Sequence, residues 1–217
     1  MLHVHILSLF PESMKWYLES SIMKRAQEKG LFRYDIHNLT DWTVRNTRRV
    51  DDRPYGGWAG TIITVEPLTL ALRALRAKYG NMKLLYVSPR GDILTQKKAW
   101  EYAQDDTQYC IICGHYEGID QRIFDLFPIE EISIGEYVVS SGELASLVWI
   151  DSVVRLLPWV LSLESLKEES FSYALQGKKE YPQYSRPENF EGKSVPSILL
   201  SGDQKKIQAW KKDNIKN

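Results

Sequence analysis

Short apolar runs alternate with amphipathic helical stretches along most of the chain, and that alternation leaves few folds open. His3–Phe10 reads as a strand, after which Pro11 opens a helix that runs to Lys29 and stops at Gly30. Phe32–Leu39 alternates as a second strand. Glu66–Tyr79 is a helix with Leu68, Leu70, Leu72 and Leu75 largely on one side, ended by Gly80. Lys83–Ser88 is a strand, Gln96–Ala103 a helix, Tyr109–Cys113 a strand, Ile119–Phe127 a short helix, and Glu131–Ile134 a candidate fifth strand. Gly142–Leu157 is the most apolar helix, carrying Leu144, Leu147, Val148, Ile150, Val154 and Leu157. Strands alternating with helices call for an α/β fold with a mostly parallel sheet.

Two stretches break this rhythm. The polar, arginine-rich segment Thr40–Gly60 has no period and reads as a long loop. From Pro158 to Pro196 the chain is rich in Ser, Glu, Lys and Pro and holds no clear strand, as expected of a linker leading to a small element. Asp203–Asn214 then forms a short amphipathic helix with Ile207 and Trp210 on one side. The organisation expected is a domain over residues 1–158, a linker over 159–179 and a small C-terminal part over 180–217.

Composition excludes several classes. No apolar run approaches the roughly 20 residues of a membrane-spanning helix, and the apolar start lacks the basic region and cleavage site of a secretory leader. Lys plus Arg and Asp plus Glu both number 28, so a nucleic-acid site must be a local patch. Cys110 and Cys113, three apart on a strand, point to opposite faces and read as buried structural thiols, not a redox pair. A cytoplasmic protein with no membrane partner is expected.

A dinucleotide-binding fold of the Rossmann type carries a glycine-rich turn after its first strand. Here that strand runs into LFPES, with no glycine. The glycines fall at Gly91, Gly114, Gly118, Gly135 and Gly142, each near a strand end in the second half of the sheet. Ligand loops in open α/β sheets lie beyond the carboxyl ends of strands, so these loops are candidates for one pocket.

The segments VDDRPYGG (Val50–Gly57), CGHYEGIDQR (Cys113–Arg122), EISIGEYVVSSGEL (Glu131–Leu144) and EYPQYSRP (Glu180–Pro187) occur in that order. LSLFPE near the start, SPRG (Ser88–Gly91) and VPSILLSGD (Val195–Asp203) fit the same series. Together they resemble the bacterial tRNA (guanine-37-N1)-methyltransferases of the SPOUT class, over nearly the whole chain. The resemblance implies a mostly parallel α/β sheet with a deep trefoil knot, plus a small helical C-terminal part that contacts tRNA and is shorter than in many relatives. It also implies a homodimer with the active site between protomers, S-adenosylmethionine as methyl donor, and tRNA with guanine at position 37 as substrate.

Methylating guanine N1 removes a proton while a methyl group leaves a sulfonium, so the site needs a carboxylate base and a cation near O6, where negative charge builds. The family's catalytic aspartate falls on Glu169 in KEESF, with Glu168 the competing position; the cation falls on Arg155. For the donor, the resemblance points to Ser88, Pro89 and Gly91, to Gly114 and Tyr116, to Ile134, Gly135, Glu136, Tyr137, Val138 and Val139, and to Gly142. Substrate contacts fall on Arg48, Asp51, Arg53, Tyr55 and Glu117, and Glu117 is also a candidate for magnesium. Arg45, Arg48, Arg49 and Arg53 read as a phosphate-contacting patch, interrupted by Asp51 and Asp52; Lys205, Lys206, Lys211 and Lys212 could add a second basic edge.

The chain departs from the family pattern at Glu169, at Trp58–Thr61 after PYGG, and at His115 where arginine is usual. Ser141 stands for a glycine, and so do Trp159 and Ser162. Were Ser141 at positive φ, it would cost about 1 kcal/mol. The alternatives are a catalytically silent RNA-binding relative and a knotted ribose 2′-O-methyltransferase.

Overall fold

The computed structural model describes residues 1–57 and 59–216, so Trp58, one of the departures above, lies outside the described residues. The chain divides into two compact units, residues 1–160 and 161–217. The first opens with β1 (Leu2–Ser8), α1 (Glu12–Leu18), α2 (Ser21–Glu28) and β2 (Phe32–Asn38). The expected single helix from Pro11 to Lys29 is thus two. The Ser20 hydroxyl donates to the Tyr17 carbonyl at 2.9 Å while the Ser20 backbone turns extended, so the side chain competes with the helix ladder and the axis breaks there.

The arginine-rich segment is not wholly irregular. After a 3₁₀ turn at Leu39–Trp42, β3 (Asp51–Asp52) pairs antiparallel with β4 (Ile62–Ile63). There follow α3 (Val65–Tyr79), β5 (Lys83–Ile93), α4 (Gln96–Ala103), β6 (Tyr109–Cys113), α5 (Arg122–Leu126), β7 (Ile129–Ser133) and α6 (Gly142–Val154). The five long strands form one parallel sheet in the order β2-β1-β6-β5-β7. No described helix is long and apolar enough to cross a membrane.

Helices cover both faces of the sheet. On one, Leu68, Leu72 and Leu75 of α3 join Leu7, Cys110 and Ile112 in a buried cluster. Leu70, expected on the same stripe, is 38% exposed, because two residues turn a helix by about 200°. On the other face, Trp149 of α6 is fully buried, its ring 5.2 Å from that of Tyr109. Cys113 meets Ser146 there at 3.3 Å. The two cysteines therefore point oppositely as expected, and burial raises both thiols, Cys110 to about 12. In α6, Leu144 and Val148 lie on the outer side and are exposed.

Three of the four histidines gather between β1 and β2. Burial lowers the pKa of His5 and takes that of His37 down to about 4, with the neighbouring His5 adding to the second shift.

The second unit holds α7 (Leu163–Lys167), a hairpin of β8 (Asn189–Phe190) and β9 (Lys193–Ser194), α8 (Ser197–Leu200) and α9 (Gln204–Asp213). No strand was expected before Pro196. The hairpin forms because Glu191 and Gly192 both adopt positive φ, the two-residue turn that matches strand twist. At the start of α9, Asp203 accepts from the Lys205 and Lys206 amides, capping the expected helix.

Ser141 has φ −152°, ordinary extended backbone, so serine costs nothing there. The strain sits at Trp159, φ +72°, another position where the resemblance expects glycine. Its side chain is 80% exposed, and its carbonyl accepts from Lys29 at 2.8 Å. Trp159→Gly keeps that bond and relieves the strain. It is expected to stabilise the protein by about 1 kcal/mol, read as a rise in urea midpoint; a fall would contradict this.

Candidate functional site

The loops that leave β5, β6 and β7 at their carboxyl ends converge, because those strands are neighbours in the sheet. They enclose a cleft of about 350 Å³. Ser88 and Pro89 come from β5, Gly114, Tyr116 and Glu117 from the turn after β6, and Ile134, Tyr137, Val138 and Val139 from the segment after β7. Gly142, the first residue of α6, closes it.

Gly91, Gly135 and Glu136, expected at the same site, do not line this cleft. SPRG is not a loop but an irregular part of β5, where the register against β7 shifts between Val87 and Asp92. A Cβ on Gly91 would lie 2.4 Å from the Glu131 carbonyl carbon, so this glycine lets two strands approach. A Cβ on Gly135 would instead meet the Tyr137 ring at 2.4 Å, and Glu136 is exposed.

At the closed end, backbone meets backbone. The Gly142 amide donates to the Gly114 carbonyl at 2.8 Å. A Cβ on Gly142 would stand 2.2 Å from the Gly114 nitrogen, which excludes every other residue. A Cβ on Gly114 would come within 2.8 Å of the Tyr86 hydroxyl, on the cleft wall.

Next to this contact lies a buried polar network that sequence reasoning missed. Glu143 is 3% exposed and accepts from the Ser8 hydroxyl at 2.6 Å and from His115 Nε2 at 2.5 Å. Burial by itself would raise its pKa; the bonds from His115 and Ser8 outweigh that and hold the carboxyl below its ordinary value. Glu143 thus ties the end of β1, through Ser8, and the turn after β6, through His115, to the first turn of α6. The available signal was a carboxylate one residue into the most apolar helix, which needs a partner if buried.

The turn after β6 is fixed from the other side by β4. The Glu117 amide donates to Thr61, the Ile63 amide to Gly118 and the Asp120 amide to Ile63, at 2.9–3.0 Å. β3 pairs with β4, so Asp51 comes close enough to Tyr116 to raise the phenol, after burial itself. Asp51 is buried, and its carboxylate accepts from Arg49 Nε at 3.0 Å and Nη2 at 3.3 Å, which lowers its pKa. Arg45 pairs with Asp52 at 2.9 Å and Arg48 with Asp41. The arginine segment is therefore largely neutralised by its own aspartates. Arg53 and Tyr55 are exposed, Tyr55 at 97%.

Arg155 caps the C-terminal end of α6, its amide donating to Asp151 at 3.1 Å. In the second unit, Glu168 accepts from Tyr181 at 2.6 Å and from Lys211 at 2.8 Å. Lys211 first, then Tyr181, lowers its pKa. Glu169 is half-buried, and its carbonyl accepts from the Ser172 amide at 3.1 Å. Of the other basic positions, Lys206 lies 3.4 Å from Asp203.

A parallel sheet with helices on both faces, and a glycine-floored cleft beyond the carboxyl ends of adjacent strands, defines an α/β protein whose cleft lies where such folds bind small ligands. The comparisons narrow this class. The model for tRNA (Guanine-1)-methyltransferase TrmD matches residues 2–217, and the chain belongs to that family. It is 47% identical over 206 residues to a tRNA (guanine-N(1)-)-methyltransferase of Treponema denticola, covering 95% of this chain and 82% of the relative. It is 43% identical over 212 residues to one from Clostridioides difficile, covering 96% and 90%. The crystal structure of tRNA (m1G37) methyltransferase from Aquifex aeolicus superposes with a TM-score of 0.79 at 35% identity, over 97% of this chain and 87% of that one. Family membership decides against the ribose 2′-hydroxyl alternative.

The Glu143 network has a pH signature. Because its folded pKa is depressed, its contribution to stability is present above the unfolded value near 4.5 and is lost as pH falls through the folded value. Glu143→Gln should cost about 3 kcal/mol at neutral pH and flatten the fall of Tm between pH 5 and pH 3 (about the carboxylate range). Parallel Tm curves for the two proteins would remove Glu143 from this role.

Proposed function

We propose that the chain transfers a methyl group from S-adenosylmethionine to N1 of guanine at position 37 of tRNA, and that it does so as a homodimer. The observation that carries this reading is the convergence of nine of the twelve donor-site residues on one cleft beside the Gly114–Gly142 contact. The residues fit the donor. Gly114 and Gly142 let the turn after β6 and the start of α6 close against each other at the end of the cleft, the strand-end loops offer backbone donors and acceptors, and Phe124, Ile132 and Val139 supply apolar wall. When bound, S-adenosylmethionine supplies an electrophilic methyl group on a sulfonium.

Glu169 acts as general base, taking the proton from guanine N1. Glu168 suits that role poorly: its carboxylate is already engaged by Lys211 and Tyr181, and a lowered pKa makes a weaker base. Arg155 offsets the charge that builds toward O6. Asp51, Arg53 and Tyr55, with Arg48, present the face that meets the anticodon region. Glu117, exposed at the rim of the cleft, is assigned to the target base or to a magnesium ion that keeps most of its waters.

The return of the chain from β7 to the turn after β6, closed by the Gly142 amide, supports a knotted path. The exposed Leu144, Val148, Tyr137 and Val138 support a partner protomer, since this apolar patch adjoins the cleft. As an enzyme that acts on tRNA, the chain works in the cytoplasm.

Single-turnover transfer of labelled methyl to unmodified tRNA tests the reading. Wild type should methylate a guanine-37 transcript at N1 and leave an adenine-37 control unlabelled. Glu169→Gln should slow transfer by about 10²-fold or more with donor affinity kept, and Glu168→Gln should leave most of the rate. The reverse pattern would move the base to Glu168, and an inert wild type would make the chain a silent RNA-binding relative.

A further inference from the structure

β1 and β2 run parallel in the register His3↔Arg33, His5↔Asp35 and Leu7↔His37. Alternate residues of a strand share a face, so His3, His5, Asp35 and His37 all project from one side of the sheet. His3 Nε2 lies 2.6 Å from Asp35 Oδ2, and His5 Nδ1 lies 3.1 Å from His37 Nε2. One ligand atom each from His3, His5 and Asp35 falls within 4.8 Å of the others. None of these residues lines the cleft, and nothing in the proposed methyl transfer uses them.

We propose that His3, His5 and Asp35, with His37 as a fourth ligand, bind a divalent transition-metal ion of the zinc type and clip the edge strand β2 to β1. Imidazole with a single carboxylate is a donor set that suits zinc, cobalt and nickel and does not suit magnesium or calcium. Ligands on a tetrahedral zinc stand about 3.3 Å apart, given bonds of about 2.0–2.1 Å. The two close pairs are already near that spacing, and His3, His5 and Asp35, within 4.8 Å of one another, reach it by about 1.5 Å of side-chain movement. The ion takes the place of the proton shared by His3 and Asp35.

The surroundings favour this arrangement. Gln108 Oε1 lies 3.3 Å from His5 Nε2. A proton donated there leaves the Nδ1 lone pair as the free donor, the second-shell orientation that metal-ligating histidines usually have. The Tyr79 ring packs against His5 at 4.3 Å, so the cluster is shielded on one side. Arg33 competes, its guanidinium 3.2 Å from the same Asp35 oxygen. Its side chain is more than half exposed and can turn into water. β2 pairs only with β1 and is an edge of the sheet, so a bond between these two strands fastens an edge strand.

The test uses the full-length chain, tag-free and stripped with chelator. Titration with Co²⁺ should give one equivalent per chain with the visible bands of a tetrahedral nitrogen- and oxygen-ligated ion, and Zn²⁺ should displace it and raise Tm by several degrees. His3→Gln and Asp35→Asn, checked for folding by circular dichroism, should each weaken Zn²⁺ binding at least about tenfold, since even second-shell losses cost that much. Wild-type binding no tighter than millimolar would overturn the proposal. So would wild-type affinity in both variants, or a sulfur-to-cobalt band placing the ion on Cys110 or Cys113.

Discussion

The first unit is organised around one backbone contact. Where α6 begins, the chain must lie against the turn that follows β6 with no side chain between them, since a Cβ on Gly142 would stand 2.2 Å from the Gly114 nitrogen. The Gly142 amide turns that closeness into a hydrogen bond. Glu143, one residue later, is carried into the interior and must find partners for its charge, which Ser8 and His115 provide. The end of β1, the turn after β6 and the start of α6 are thereby tied at one point. From the segment that leads into α6, Ile134 and the run from Tyr137 to Ser141 line the cleft.

The elements with strong periodicity were the most legible. The strands at Tyr109–Cys113 and Phe32–Asn38 and the helix Gln96–Ala103 lie where alternation and caps put them. What escaped depends on contacts between distant residues or on local competition for hydrogen bonds. Ser20 breaks a helix that composition alone would continue. Leu70 and Leu144 are as apolar as their buried neighbours, and only helix phase exposes them. The glycine positions showed which loops would meet, yet not why each glycine is needed. Gly91 serves strand packing and Gly142 a backbone contact, and the sequence shows the two alike.

Departures from the family pattern read differently once their environments are known. Ser141 costs nothing because its backbone is extended, whereas Trp159 carries a conformation that favours glycine. At position 115, histidine still gives the buried Glu143 a donor, at 2.5 Å, so the requirement is a hydrogen bond into the interior rather than one residue type. Glu168, adjacent to Glu169 and alike in charge, is held by Lys211 and Tyr181. That engagement makes Glu168 the weaker base, and the assignment of Glu169 rests on the resemblance.

The central claim is that the cleft beside Gly114 and Gly142 holds the methyl donor. Calorimetric titration of S-adenosylmethionine into Gly114→Leu, with folding checked by circular dichroism, tests it most directly, because the new side chain would enter where Tyr86 already stands at contact distance. The account predicts saturable one-site binding to wild type and none measurable in the folded variant. Unchanged affinity in that variant would contradict it and place the donor elsewhere.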